Sequence, residues 1–139
     1  MLLLDTNILA AIMVARPVPE VARWMAEQPI EDLVTTGISQ AEILSGLAIM
    51  PEGRRRRDLE AAARAMFEED FEGRVLPFDM NAAAAYADLF AARRRVGRPA
   101  APLGLMIASV ARSTGASVVT RDIGGFEGCG LTLINPWGG

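Results

Sequence analysis

Five short stretches rich in leucine or β-branched residues, "MLLLD", "DLVTTG", "RVLPF", "ASVVTRD" and "LTLIN", are separated by longer segments of helical pattern. Apolar side chains in consecutive positions mean that both faces of such a strand are buried, the mark of a parallel sheet covered by helices on each side. The expected architecture is therefore a three-layer α/β/α fold with a central, mostly parallel sheet of four to five short strands. The intervening helices are read at "TNILAAIM", at "PVPEVARWMAEQ" with Val18, Val21, Trp24 and Met25 on one face, and at "SQAEILSGLAIM", which stops near Pro51 and Gly53. They continue with "RRRRDLEAAARAMFEEDF", with "DMNAAAAYADLFAARRRV" capped by Asp79, and with "RPAAPLGLMIASVAR", where Pro102 occupies the first turn.

The 139 residues, 51% of them hydrophobic, suffice for one core and show no compositional break, so residues 1–139 are read as a single domain. The leading "MLLLDTNILAAIMVA" lacks a basic segment and places Asp5 inside its apolar run, unlike a signal peptide. No stretch reaches the roughly 20 apolar residues of a membrane span. With a single cysteine, Cys129, no internal disulfide can form, and the thiol is expected to act as a small buried hydrophobe in a cytoplasmic protein. A net charge of −3 argues against coating nucleic acid with the whole surface and leaves room for a local basic patch.

All 14 basic residues are arginine; the chain has neither histidine nor lysine. That removes Ser-His-Asp and Cys-His catalysis, a histidine-ligated zinc site, a Schiff-base lysine and a P-loop ending in lysine. Acid, base and ligand chemistry falls to Asp and Glu, which suit hard cations such as Mg²⁺ and Mn²⁺.

Functional groups of parallel α/β folds collect at the carboxyl ends of the strands, and two strands here run into Asp5 and Asp122. Each has an ordinary alternative, Asp5 as the cap of the next helix and Asp122 as a turn residue. Glu42 has one too, because "SQAE" fits a capping box in which Glu42 reaches back to the Ser39 N–H. Should all three carboxylates converge, their mutual repulsion calls for a divalent cation.

The segments "MLLLDTNIL", "ISQAEILSGL", "RVLPFD" and "IASVARSTGASVVTRDIGGFEGCGLTLINPW", in this order over nearly the whole chain, resemble the PIN-domain ribonucleases, most closely the VapC and FitB-like toxins of bacterial toxin–antitoxin pairs. The resemblance implies a PIN-like sheet, cleavage of RNA with Mg²⁺ or Mn²⁺, a homodimer with a dimer of dimers left open, and a cognate VapB-like antitoxin. It makes Asp5, Glu42 and Asp122 metal-binding carboxylates and puts Thr120 beside the last of them. The family's remaining acid belongs three residues before the "IA" of the late helix, and this chain has Gly104 there; no acid occurs between Asp88 and Asp122.

An aspartate in a first helical turn gains about 0.3–1 kcal/mol from the helix dipole, so local stability gives no reason for the glycine. Either a close backbone approach or a frayed end requires Gly104, or a catalytic aspartate has been lost and hydrolysis is attenuated. The rival to an impaired ribonuclease is a non-catalytic PIN-fold module that binds RNA or sequesters antitoxin. A receiver or dehalogenase-like phosphotransfer domain also places Asp after its first strand, but the required lysine is missing and "DTN" lacks the D-x-D pair.

Two basic clusters remain, the arginines of residues 54–57 and the group Arg93, Arg94, Arg95 and Arg98. Both can be solvated helix ends. The second, leading into the Gly104 helix, is the better candidate for contacting RNA phosphates. Ile12, Met13, Val14, Val18 and Trp24 are expected mainly in the core, and the resemblance implies that helices of this region form the antitoxin groove.

Overall fold

Leu3 and Leu4 are both fully buried, yet they join different hydrophobic cores. Successive side chains of a strand point to opposite faces, so β1 (Leu2–Leu4) is covered on both sides. The same division separates Val34 from Leu33 in β2 (Leu33–Thr36). The computed structural model describes residues 1–138, and Gly139 lies outside the described residues. It adds β3 (Val75–Leu76), β4 (Ser117–Val119) and β5 (Leu133–Ile134). All strand pairs are parallel, in the order β3-β2-β1-β4-β5.

One face of the sheet is covered by α5 (Met80–Arg95) and α6 (Pro102–Thr114), which contribute Ala82, Leu89, Leu105 and Ala108 to its core. The other face receives Ile8 and Leu9 from α1 (Thr6–Ile12), Val21 from α2 (Pro19–Ala26) and Ala63 from α4 (Arg54–Ala65). Val18, Trp24 and Met25 pack on this second core as their spacing requires. Two helices remain, α3 (Gly37–Ala48) and the short α7 (Ile123–Phe126). The result is the expected three-layer arrangement, with five strands, all parallel.

Local chemistry sets the element ends. Asp79 Oδ1 accepts from Ala82 N at 2.9 Å and starts α5. α6 begins at Pro102 and ends on Gly115, whose left-handed backbone (φ 73°) stops the helix. The segment after α4 continues as a wider π turn, closed by Phe71 N to Met66 O at 2.9 Å. β3 is only two residues long because Pro77 has no N–H to extend the ladder.

From β1 the chain steps outward to β2 and β3, then returns to place β4 on the opposite side of β1. Strand order thus reverses between β1 and β4, and such a reversal opens a crevice at the carboxyl ends of the two strands. Asp5 follows β1 immediately, and residues 120–122 follow β4. No helix among the described residues is long and apolar enough to cross a membrane.

Candidate active site

At the β1/β4 reversal lies a cleft of about 540 Å³ lined by Asp5, Glu42 and Asp122, with Thr6, Asn7 and Gly104 among its other walls. Asp5 is buried and does cap α1, its Oδ1 accepting from Thr6 N at 2.7 Å. Its other oxygen accepts from Thr120 Oγ1 at 2.8 Å and more weakly from Asn7 Nδ2 at 3.4 Å. Capping and lining the cleft are therefore compatible tasks for one carboxylate.

Thr120 is fully buried and uses its whole hydrogen-bonding capacity here. Besides donating to Asp5, its hydroxyl oxygen accepts from Asp122 N at 2.9 Å and from Asn7 Nδ2 at 3.3 Å, which saturates one donor and two lone pairs. Asp122 caps α7 through Oδ1, which accepts from Gly125 N at 3.1 Å.

Glu42 does not form the capping box that "SQAE" suggests. Thr36, at the end of β2, caps α3 instead, its Oγ1 accepting from the Ser39 N–H at 3.1 Å, so the group Glu42 would have reached is already bonded. Glu42 Oε1 accepts instead from Thr6 Oγ1 at 2.8 Å. Thr6 has a single hydroxyl proton, and the carboxylate can only accept. The 2.9 Å contact between Thr6 and the buried Ser39 hydroxyl therefore has Ser39 as its donor.

Gly104 stands in the first turn of α6, where a Cβ would find no heavy atom within 4 Å. Its φ is not positive either. A close backbone approach is thereby removed as the reason for glycine, and the cleft has room for an aspartate side chain.

Burial is the main force pushing the Asp5 carboxyl above its ordinary value of 3.8, and the charges of Glu42 and Asp122 push the same way. Hydrogen bonds from Thr120 and the Thr6 N–H oppose the rise. No arginine relieves the group, since the ion pairs among the described residues are Arg56–Glu60 and Arg98–Glu127.

Three oxygen donors without a protein counter-charge suit a hard cation. As placed, however, no group of three or more His, Cys, Asp or Glu among the described residues is tight enough to hold a metal ion by itself.

Residues 2–127 match the family model described as PIN domain. This chain belongs to the PIN domain family. The PIN chain is 39% identical to VapC ribonuclease Y4jK of Sinorhizobium fredii, over 99% of this chain and 98% of that protein. It is 31% identical to Toxin FitB of Neisseria gonorrhoeae, over 99% of each. Among solved structures, FitAB bound to an IR36 DNA fragment matches with a TM-score of 0.91 and 31% identity, covering 99% of this chain and 96% of that one.

One arginine of this PIN domain is not where the sequence suggests. Arg93 is buried and donates to the Glu127 carbonyl, so it is corrected from an RNA contact to an internal tie between α5 and the loop after α7. Arg94 and Arg95 are exposed, Arg94 over the Phe90 ring at 5.6 Å, and Arg98 pairs with Glu127 at 3.2 Å. In the other cluster, Arg56 is tied to Glu60 at 3.0 Å. Cys129 is buried as expected, and burial pushes its thiol up.

Sequence reasoning missed Thr6 and Asn7 as partners of the acids, and Ser39 as the partner of Thr6. "DTN" signalled only a helix start, whereas Thr6 braces Glu42, and Asn7 joins Asp5 and Thr120 while accepting from Arg121 N at 3.2 Å.

Proposed function

We propose that this PIN domain is a metal-dependent endoribonuclease toxin of a toxin–antitoxin pair that hydrolyses RNA phosphodiester bonds, in a form attenuated at Gly104. The observation that carries this reading is the convergence of Asp5, Glu42 and Asp122 on one cleft with no arginine to neutralise them. The names of the relatives, a VapC ribonuclease and Toxin FitB, support the substrate class and the toxin role.

Asp5, Glu42 and Asp122 would hold Mg²⁺ or Mn²⁺, which when bound supplies water activation and offsets charge on the phosphoryl oxygens. Thr120 and the Thr6 N–H keep Asp5 aimed into the cleft, Thr6 Oγ1 does the same for Glu42, and the Gly125 N–H holds Asp122. At position 104 a water can complete a coordination shell but brings no negative charge, so cation affinity and hydrolysis both fall. Exposed Arg94, Arg95 and Arg98, leading toward α6, supply phosphate contacts.

The partner is a cognate VapB-like antitoxin, in line with FitAB as a structural neighbour. A groove of about 660 Å³ lined by Met13, Val14 and Leu59, with Arg54 and Arg55 at its side, offers a seat for it. The toxin acts as a homodimer in the cytoplasm.

A non-catalytic module that binds RNA or sequesters antitoxin is the second reading, favoured by the missing carboxylate at Gly104 and the spacing of the three that remain. RNA cleavage and Mn²⁺ titration, compared between the parent chain and Gly104→Asp, decide the matter. Faster cleavage by the variant is expected. Equal rates refute attenuation, and absence of Mn²⁺ binding in both forms gives the molecule to the second reading.

A further inference from the structure

One residue before Asp122 in sequence, a guanidinium lies over an aromatic ring: Arg121 Cζ is 5.0 Å from the ring centroid of Trp137. Arg121 is exposed, whereas Trp137 is half-buried and packed on the second core, so the ring forms a fixed shelf. Both residues are anchored through their backbones. Arg121 N donates to Asn7 Oδ1 at 3.2 Å, and Trp137 N donates to Asn135 Oδ1 at 2.9 Å. The segments that carry them leave neighbouring strands, β4 and β5, and are joined by Thr120 N to Ile134 O at 2.9 Å.

Arg121 stands in sequence between Thr120, which donates to Asp5, and Asp122, which lines the cleft. It forms no ion pair with Asp122 or any other acid among the described residues. An arginine next to a cluster of carboxylates that bonds to none of them, and lies over a tryptophan instead, keeps its N–H edge available to another anion. Aromatic stacking fixes the guanidinium plane, and the fork of donors matches phosphate in two-point geometry.

We propose that Arg121, shelved on Trp137, is a phosphate-binding residue that holds an RNA strand alongside the acidic cleft. The inference rests on the ribonuclease reading and adds a binding residue to it. A polyanion meets repulsion at three carboxylates, and a cationic contact on the residue next to Asp122 in sequence, paired with none of them, offsets it along the strand. RNA suits the arrangement better than an acidic peptide because, in the ribonuclease reading, its phosphate is the group on which the cleft acts. One phosphate can lie at the cation-loaded cleft while another of the same strand is held at Arg121, whereas a peptide carboxylate offers the cleft no bond to hydrolyse.

The test is fluorescence anisotropy of a labelled single-stranded RNA of about 12 nucleotides with the intact chain in Mg²⁺, over a salt series, with RNA integrity checked afterwards. Arg121→Gln is expected to weaken binding for every RNA sequence and to make the slope of log affinity against log salt shallower by about 0.7. Arg121→Lys, which keeps the charge, should keep the slope and lose part of the affinity.

Unchanged affinity and slope in Arg121→Gln, with a lowered melting temperature, would make the pair a packing contact only and overturn the proposal while leaving the ribonuclease reading intact. No RNA binding by the parent chain or by Gly104→Asp overturns both. Displacement of labelled RNA by polyglutamate from the parent chain but not from Arg121→Gln would assign the contact to an acidic protein partner and also overturn it.

Discussion

Thr120 Oγ1 donates to Asp5 Oδ2 at 2.8 Å across 115 positions of sequence, fastening the end of β4 to the end of β1. The bond favours the ionised form of a carboxyl group that burial and two neighbouring acids push toward protonation. Because the folded pKa is raised, the folded chain takes up a proton more readily than the unfolded one. Stability from this group is fully present below its unfolded value, near 3.8, and is lost as pH rises through the folded value.

At neutral pH without divalent cation, ionised Asp5 therefore weakens the fold. Asparagine caps a helix about as well as aspartate and carries no charge. Asp5→Asn is expected to melt above the parent in EDTA at neutral pH. The advantage should shrink as pH falls through the raised value and vanish below about 3.8. Melting curves across that range check it; a variant less stable than the parent at neutral pH contradicts it.

Thr6→Val keeps the shape of the side chain and removes the hydroxyl that Glu42 accepts from at 2.8 Å. Loss of a partner that orients a metal-binding side chain typically weakens metal affinity by roughly 10–100-fold. Mn²⁺ titration by calorimetry is expected to show a loss in that range while the circular dichroism spectrum stays unchanged. Undiminished affinity would mean that Glu42 needs no brace, or holds no cation.

The layered fold was legible because buried parallel strands advertise themselves by consecutive apolar residues, as in Leu3–Leu4 and Val118–Val119, and because Asp79, Pro102 and Gly115 mark helix ends through chemistry local to them. Less legible was any feature set by pairing at a distance. Thr36 and Ser39 offer the same capping hydroxyl, and the choice between them depends on where β2 ends, which its neighbours in the sheet determine. Asp5 and Asp122 could be placed at strand ends by inspection. That Thr6 reaches Glu42 across 36 positions, or that Arg93 turns inward to Glu127 while Arg95 faces water, has no local signature.

That last contrast separates two arginines two residues apart. Arg93→Met removes a buried donor and its bond to the Glu127 carbonyl, and an internal hydrogen bond of this kind contributes about 0.5–1.5 kcal/mol. Urea denaturation should register that loss with RNA affinity unchanged. Arg95→Gln, at an exposed position, should alter stability by no more than about 0.5 kcal/mol. It should instead weaken RNA binding and flatten its salt dependence. Reversal of the two phenotypes would remove the α5 end from the RNA surface.

Cation binding should be visible as stability even where hydrolysis is too slow to follow. The unfolded chain cannot bring Asp5, Glu42 and Asp122 together, so a cation held by them would bind the folded form alone and would stabilise it by about 2.7 kcal/mol at 100 times its dissociation constant. Gly104→Asp adds a fourth carboxylate at a position where a Cβ meets no heavy atom within 4 Å. In EDTA the variant gains from replacing a helical glycine and from the dipole of α6, by about 0.3–1 kcal/mol for the latter, against added repulsion in the cleft. The melting temperature in EDTA alone is thus a poor guide, and the difference between Mn²⁺ and EDTA is the decisive quantity. It should be positive for the parent, larger for Gly104→Asp at the same Mn²⁺ concentration, and abolished in both by excess chelator. Equal differences in the two chains would mean that an acid at position 104 adds nothing to cation binding, and the attenuation assigned to Gly104 would have to be abandoned.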